Sequence, residues 1–225
     1  MVDVVSAQSG SNLPKSFGSL YVSNSDGRHF VRVLDHTNRD LATGLVDFEH
    51  IQSSIYEGIQ LANTVKNWKE IDSRSEVVKK LTTFLSFNNG RNWTPIQPPK
   101  VDVEGKEFKC SASTPAVESC SLHLHSITTT KNVGKVFSVT SAPGTIVGVG
   151  SVGDYLLPYE ECDTFISHDS GISWIQVQKG PFKFETLNFG TVIVLIPDKS
   201  SPSREILYSK NGGKEWEKLS VLIEG

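Results

Sequence analysis

The octapeptide Ser167-His-Asp-Ser-Gly-Ile-Ser-Trp174 decides the fold class, because its pattern recurs elsewhere in the chain. The other copies are Ser23-Asn-Ser-Asp-Gly-Arg-His-Phe30, Ser86-Phe-Asn-Asn-Gly-Arg-Asn-Trp93 and Ser209-Lys-Asn-Gly-Gly-Lys-Glu-Trp216. All four fit Ser-x-[Asp/Asn/Ser]-x-Gly-x-x-[Trp/Phe]. A motif that returns four times indicates a repeat architecture, which a single copy would not.

Each position of the motif has a physical role. The short polar third residue can bond the backbone amides of its own turn, and the glycine supplies a positive φ without steric cost. The aromatic residue can pack under the turn. Strand-like residues precede three copies, so each unit is predicted to be a β-hairpin with a fixed turn. The residues expected to build these turns are Ser23, Gly27, Phe30, Ser86, Asn88, Gly90, Trp93, Ser167, Asp169, Gly171, Trp174, Ser209, Asn211, Gly213 and Trp216.

This pattern is the Asp box, which joins the third and fourth strands of β-propeller blades. Ser167 and Ser209 are 42 residues apart, about the length of one four-stranded blade. The longer intervals predict insertions near residues 66–80 and 95–119, and residues 1–16 are expected to be a loop or the end of a preceding strand. We therefore predict that residues 1–225 form an all-β partial propeller of about three and a half blades, too few to close a ring.

Composition excludes several classes of protein. The net charge is -3, with both signs interspersed, whereas a nucleic-acid-binding protein would show a basic stripe. Apolar runs are far too short to span a membrane, and the first residues lack the features of a signal peptide. No nucleic-acid partner is expected, and any membrane attachment would come from parts absent from this chain.

Two motifs are weak signals for cofactors or metals. Gly148-Val-Gly-Ser-Val-Gly153 matches a dinucleotide-binding fingerprint, but Pro158 and the short interval that follows leave no room for the helix such a site needs, so we predict a tight turn between strands. Cys110 and Cys120 are too far apart for a usual zinc pair. His123 and His125 alternate with leucines, which favours a packed pair on one strand face. No cofactor is expected.

A glycoside hydrolase is one alternative, because Asp-box propellers include sialidases, which clamp the substrate carboxylate with three arginines and use a tyrosine nucleophile. Tyr56 and Glu57 are adjacent, yet nothing around them indicates a nucleophile with its base. The arginines are few, and two of them, Arg28 and Arg91, lie in the recurring turns. An enzyme is therefore not expected. A hydrolase and a generic interaction module remain the alternatives to the interpretation below.

Several runs outside the turns resemble the sortilin family, in particular the propeller domain of its fungal vacuolar sorting receptors. They are His36-Thr-Asn-Arg39, Gly44-Leu-Val-Asp-Phe-Glu49, Cys120-Ser-Leu-His-Leu-His-Ser126, Val149-Gly-Ser-Val-Gly-Asp154 and Tyr159-Glu-Glu-Cys-Asp163. The resemblance implies a segment of a ten-bladed propeller in the Golgi or endosome lumen, taken from a membrane receptor that binds soluble cargo such as vacuolar hydrolase propeptides. It implies no catalysis. The chain would be an inner segment of that propeller or a truncated paralogue, and no cargo-binding residue is assigned.

The oxidation state of the cysteines and the glycosylation of one sequon depend on the cellular compartment. A cytosolic protein would keep all three cysteines reduced, whereas in the lumen that the resemblance implies, Cys110 and Cys120 would form a disulfide. Cys162 would then find a partner outside this chain or stay a buried thiol. Asn92-Trp-Thr94 is a sequon, and Asn92 is a possible glycosylation site in the lumen.

Overall fold

The structure is a computed structural model that describes residues 1–7, 14–52, 57–73, 77–108, 120–129, 141–198 and 204–220. Within these ranges the chain is built from strands, with one short α-helix, α1 (Trp68–Ser73), and single 3-10 turns at Tyr159–Glu161 and Asn188–Gly190. The strands are β1 (Val2–Ala7), β2 (Pro14–Ser23), β3 (Phe30–Asn38), β4 (Phe48–His50), β5 (Gln60–Val65), β6 (Leu81–Ser86), β7 (Thr94–Pro95), β8 (Ser121–Leu124), β9 (Ile146–Gly153), β10 (Asp163–Ser167), β11 (Ile175–Gln178), β12 (Phe182–Leu187), β13 (Val192–Pro197), β14 (Glu205–Ser209) and β15 (Glu217–Ser220). No helix in these ranges is long and apolar enough to cross a membrane.

The strands pair with their sequence neighbours in antiparallel meanders. One four-stranded sheet has the order β11-β10-β9-β8, and another has the order β12-β13-β14-β15. β1 to β3 form a meander, and β4 to β7 form a second one. A single bridge between Thr37 of β3 and Thr64 of β5 joins these two meanders into one seven-stranded sheet. The prediction of an all-β chain of antiparallel sheets is confirmed.

Successive sheets pack face to face through apolar side chains. One core lies between the β5–β6 face and the β8–β10 face, and Leu85, Leu124 and Phe165 are among its fully buried members. A second core joins the β8–β11 sheet to the β12–β15 sheet through residues such as Ile166 and Leu195. Each fully buried aliphatic side chain contributes about 1.5–3 kcal/mol, so these faces fix the order of the sheets.

The N-terminal residues include a paired strand. Val2–Ala7 forms β1, with Val2 opposite Tyr21, and β2 already begins at Pro14. Asp3 accepts a hydrogen bond from Arg39 Nη2 at 2.6 Å. This contact joins β1 to residues far away in sequence.

The glycine-rich run differs from its prediction. Gly148 to Gly153 lies within β9 and forms no turn. A Cβ placed on Gly150 would lie 1.9 Å from the carbonyl oxygen of His123 in β8. Glycine in a strand interior often marks such a close backbone approach. The residues around Gly150 do not reveal this contact, because β8, the strand that requires the glycine, lies far away in sequence.

The two predicted insertions are described in part. Residues 66–80 contain α1, and residues 74–76 lie outside the described ranges. In the second insertion, Val101 and Glu107 form an antiparallel bridge. The backbone N–H of Val103 donates to Gln176 Oε1 at 2.8 Å, which ties this hairpin to β11. Residues 109–119 lie outside the described ranges.

Candidate functional site

Three of the four recurring turns share one hydrogen-bond pattern. In each, the serine Oγ accepts the N–H of the glycine four residues later at 2.8 Å; the pairs are Ser86–Gly90, Ser167–Gly171 and Ser209–Gly213. In the third turn the Ser167 hydroxyl also donates to Asp169 Oδ1 at 2.8 Å. The same oxygen accepts the backbone N–H of Ser173 at 2.8 Å. Asn88 and Asn211 occupy the position of Asp169 and make the matching bonds.

The closing tryptophans differ in burial. Trp174 is only 4% exposed, and its Nε1–H donates to the Gly171 carbonyl at 3.0 Å. Trp93 makes the same bond to Gly90 at 3.0 Å but is half-buried, as is Trp216. The polar side chains of these turns therefore make hydrogen bonds within their own turns. These bonds give the residues a structural role.

The first turn is closed by different side chains. Asn24 Oδ1 accepts the backbone N–H groups of Arg28 and His29, both at 3.1 Å. The sequence motif places Ser25 at the position of the acceptor, but its side chain is shorter than that of Asn or Asp. The neighbouring Asn24 accepts the backbone hydrogen bonds of this turn instead. Phe30 is 49% exposed, so it does not close this turn as Trp174 closes the third.

Buried polar residues from separate parts of the chain meet between the sheets. We define the polar cluster as Asn38, Asp47, Asn63 and Thr83, all at most 4% exposed. Asp47 Oδ2 accepts from Asn38 Nδ2 at 3.1 Å and from Asn63 Nδ2 at 3.0 Å. Thr83 Oγ1 donates to Asn63 Oδ1 at 2.5 Å. Because an unpaired buried polar group costs about 1–3 kcal/mol, the cluster holds β3, β5 and β6 in fixed positions.

His123 extends this cluster into β8. The N–H of Thr83 donates to His123 Nδ1 at 3.1 Å, and His123 Nε2 lies 3.0 Å from the Gly153 carbonyl. The imidazole therefore carries its proton on Nε2 and donates it to that carbonyl. Burial lowers the pKa of His123 to about 4. A neutral ring with both nitrogens engaged joins strands and is poorly placed for proton transfer.

His125 is held in the same way just after β8. Its Nε2 lies 3.1 Å from the Leu157 carbonyl, and its Nδ1 lies 2.9 Å from Thr129 Oγ1. Its ring meets the ring of Tyr159 edge to face at 5.2 Å, and Cys162 Sγ lies 3.4 Å from Nε2. Burial lowers the pKa of His125 to about 4. Both histidines thus lie in protein interior, as the alternation with leucines predicted.

Glu49 is the titratable group of this region with a pKa close to neutral pH. Burial raises its pKa to about 7, the hydrogen bond from Ser126 opposes the rise, and the charge of Asp47 adds to it. The Ser126 hydroxyl donates to Glu49 Oε1 at 2.7 Å. This bond joins β4 to the residues that follow β8, so the protonation state of Glu49 acts on the contact between two sheets.

A pocket of about 440 Å³ adjoins the polar cluster. It lies between β3 and the β5–β6 hairpin, with Trp68 of α1 and Phe84 among its aromatic walls and Thr83 and His123 at its buried side. Pockets of this size, lined by aromatic and aliphatic side chains with a few polar groups, are typical of ligand sites.

The remaining candidate residues lie apart from the cluster. Glu57 and Asn92 are exposed, while Tyr56 and Cys110 lie outside the described ranges, so the Cys110–Cys120 disulfide stays a prediction. Cys162 is a free thiol that is 1% exposed. Sequence reasoning missed the polar cluster and the pocket. The available signal was the family-like runs, since Asn38, Asp47 and His123 all belong to them.

Comparison with known proteins identifies relatives along most of the chain. A vacuolar protein sorting/targeting protein 10 of Laccaria bicolor is 42% identical over 93% of this chain, and one of Kluyveromyces lactis is 45% identical over 95%. An uncharacterized membrane glycoprotein of Saccharomyces cerevisiae is 42% identical over 89%. The matches cover 14%, 14% and 17% of these relatives, so the chain spans about one seventh of their length.

Among solved structures, a GH74 enzyme of Niastella koreensis aligns with 92% of this chain and 43% of its own, at 13% identity and a TM-score of 0.23. A score this low carries no argument about fold or activity. The family Sortilin-Vps10 (Sortilin, neurotensin receptor 3) matches residues 1–223. The resemblance found in the sequence is thereby confirmed, and the chain belongs to the Sortilin-Vps10 family.

Proposed function

We propose that this chain is a segment of the cargo-binding region of a sorting receptor, which carries soluble hydrolases from the Golgi to the vacuole or endosome by protein binding without catalysis. The observation that carries the proposal is the identity of 42–45% to proteins named for vacuolar protein sorting and targeting. A glycoside hydrolase is not favoured, because the named relatives are sorting proteins.

The sheets correspond, in this proposal, to successive propeller blades, and the recurring turns are Asp boxes. Three four-stranded meanders and the three strands β1–β3 support a count of about three and a half blades, within the ten-bladed ring expected for the family. Three of the turns lie between the third and fourth strands of their meanders, and the first lies between β2 and β3, the last two strands of its meander. The cores between successive sheets have the face-to-face arrangement of neighbouring blades.

The segment works, in this proposal, in the lumen of the Golgi, endosome or vacuolar pathway, as part of a receptor anchored through other regions. The relative described as a membrane glycoprotein supports that placement. The exposed position of Asn92 is compatible with glycosylation. The partners are soluble cargo proteins such as hydrolase propeptides. The net charge of -3 gives no reason to expect nucleic acid.

The test is a sorting assay joined to a binding assay. Cells that lack the full-length protein should secrete a soluble vacuolar hydrolase that they normally retain, and re-expression should restore retention. The purified protein should capture the hydrolase with its propeptide but not the mature form. Normal retention in the deletion strain, together with no capture of the pro-form, would overturn the proposal.

A further inference from the structure

The edge of β3 is open beside the pocket. β3 pairs with β2 along its length, but on its other edge it meets β5 only at the Thr37–Thr64 bridge. Between Phe30 and Asp35, no strand of the described ranges pairs with that second edge. An open strand edge presents backbone N–H and C=O groups that another extended chain can pair with.

The pocket occupies the angle where the two strands diverge. Leu34 of β3 and Val65 of β5 belong to its apolar wall, together with Trp68 and Phe84. The hydroxyls of Thr64 and Thr82 lie 3.0 Å apart within the same lining. A lining of apolar side chains and a few hydroxyls can accept an apolar side chain of a ligand, while the hydroxyls bond the ligand's backbone.

A strained residue forms one wall of this pocket. His36 has φ +57, in the left-handed region, and its ring stacks on Trp68 with centroids 4.2 Å apart and planes 9° apart. The ring of Phe17 meets it edge-on at 5.6 Å. Strained non-glycine backbone costs about 1–3 kcal/mol and concentrates at ligand clamps. Here it turns the imidazole onto the indole and shapes the pocket wall.

We propose that this cleft binds an extended polypeptide segment, which pairs with the open edge of β3 and inserts an apolar side chain into the pocket between Leu34 and Phe84. The chemistry of the occupant follows from the edge, because an extended backbone supplies the alternating donors and acceptors that a strand edge needs. Phe30 and Val31 on the same strand are 49% and 67% exposed.

Charged groups set the polarity around the cleft. Arg32 and Asp35 form an exposed ion pair at 3.3 Å on β3, and Lys66 pairs with Asp154 at the β5 end of the pocket. Exposed pairs of this kind are worth little in themselves. Charged residues that flank the apolar residue of a peptide can therefore replace one partner in either ion pair at a small cost in free energy. Identifying the occupant as cargo rests on the proposed function, whereas the binding of an extended peptide does not.

The test uses a random ten-residue peptide library displayed on phage, selected on the purified full-length protein. The tightest selected peptide is then synthesised with a fluorescent label and measured on three proteins: wild type, Thr82→Trp, which fills the pocket, and Thr191→Trp, which adds the same bulk at an exposed site just before β13, outside the pocket lining. We expect binding at least tenfold weaker for Thr82→Trp and unchanged for Thr191→Trp. A failure to enrich any peptide, or equal binding by Thr82→Trp, would overturn the proposal.

Amide hydrogen exchange on the wild-type protein keeps the test decisive if Thr82→Trp fails to fold. The bound peptide should slow exchange within residues 30–36, and protection confined to other segments would contradict the site. Association of two copies through β3 is the competing occupant. Sedimentation that shows a dimer protected over residues 30–36, without peptide binding, would decide against a peptide site.

The sorting assay separates this proposal from the proposed function. Hydrolase secretion by cells that carry Thr82→Trp assigns the cleft to cargo. Normal retention, alongside lost peptide binding, leaves the receptor role intact and assigns the cleft to another polypeptide.

Discussion

Gly150 in β9 lies directly against the backbone of His123 in β8, and a Cβ at this glycine would be 1.9 Å from the His123 carbonyl oxygen. The two strands pair around this point, with Leu124 opposite Gly150. The same stretch of β8 carries the imidazole that bonds Thr83 and Gly153. The missing side chain at Gly150 therefore lets β8 reach both its own sheet and the polar cluster of the neighbouring sheet.

Replacing Gly150 by Ala should destabilise the protein severely, because the atom that the new methyl meets is backbone and cannot move aside as a side chain can. We expect a loss above about 3 kcal/mol, the upper part of the range for overpacking, or failure to fold. Chemical denaturation followed by circular dichroism measures it. Gly153→Ala, on the same strand but with nothing within 4 Å of its added Cβ, is the matched control and should change stability by less than about 1 kcal/mol.

Trp174→Ala should be the most damaging of the three tryptophan truncations in the recurring turns. Trp174 is 4% exposed and belongs to the core between the β4–β7 and β8–β11 strands, so its loss should cost about 3–5 kcal/mol. Trp93 and Trp216 are half-buried, and their truncation should cost less. The order of the three unfolding midpoints in urea checks this, and a Trp93→Ala midpoint below that of Trp174→Ala would contradict it.

The sequence predicts the hairpins well because the information for a turn is local. The polar residue, the glycine and the aromatic of the third turn lie within one octapeptide, and the strands on either side follow. The strand β9 was misjudged as a turn because its determinant, the His123 carbonyl beside Gly150, is remote in sequence. The pocket escaped prediction for the same reason, since β3, β5 and α1 each supply only part of it.

Asp169→Ala should destabilise the third turn by about 1 kcal/mol, the usual net value of a lost hydrogen bond. Burial disfavours its charged form, but the hydrogen bonds from Ser173 and Ser167 outweigh burial and lower its pKa. A lowered carboxyl pKa stabilises the folded protein above the unfolded value, near pH 4, and that contribution is lost as the pH falls further. Asp169→Asn should stay close to wild type at neutral pH, because Asn88 and Asn211 fill the same position in two other turns.

An unchanged stability of Asp169→Ala at neutral pH would show that the turn does not depend on this side chain. For Asp169→Asn, the difference from wild type should shrink as the pH falls below 4, because protonation removes the charge that distinguishes the two side chains. Thermal unfolding of both variants between pH 3 and pH 7 provides the measurement.

Glu49→Gln should flatten part of the pH dependence of stability. The folded pKa is about 7, whereas a glutamate in an unfolded chain titrates near 4.3. Between these values the unfolded chain releases its proton while the folded protein keeps it, so the free energy of unfolding of wild type falls as the pH rises through this window. The amide of Gln does not titrate, so this fall should be absent from the variant, and the variant minus wild-type difference in unfolding free energy should rise with pH through the same window.

Glu57→Gln is the matched control for this titration, because Glu57 is exposed and its substitution should leave the pH profile unchanged. Ser126→Ala should raise the pKa of Glu49 further, since the Ser126 hydroxyl bonds its carboxylate at 2.7 Å. NMR titration of a selectively labelled Glu49 carboxyl measures both effects. A Glu49 pKa near 4 in wild type would contradict the prediction.

The cysteines should separate into two classes under native alkylation. Cys162 is 1% exposed, and burial raises the pKa of its thiol to about 12, so little of the reactive thiolate forms near pH 8 and iodoacetamide should not label it until the protein unfolds. Cys110 and Cys120 should resist labelling even after unfolding, if they form the predicted disulfide, and should react after reduction.

A loop of about ten residues closed by this disulfide would contribute roughly 2.5–3 kcal/mol to stability in the chain-entropy description. Non-reducing peptide mapping of protein expressed in the secretory pathway tests the pairing, and a peptide linking Cys162 to either of the others, or free thiols at both 110 and 120, would refute it.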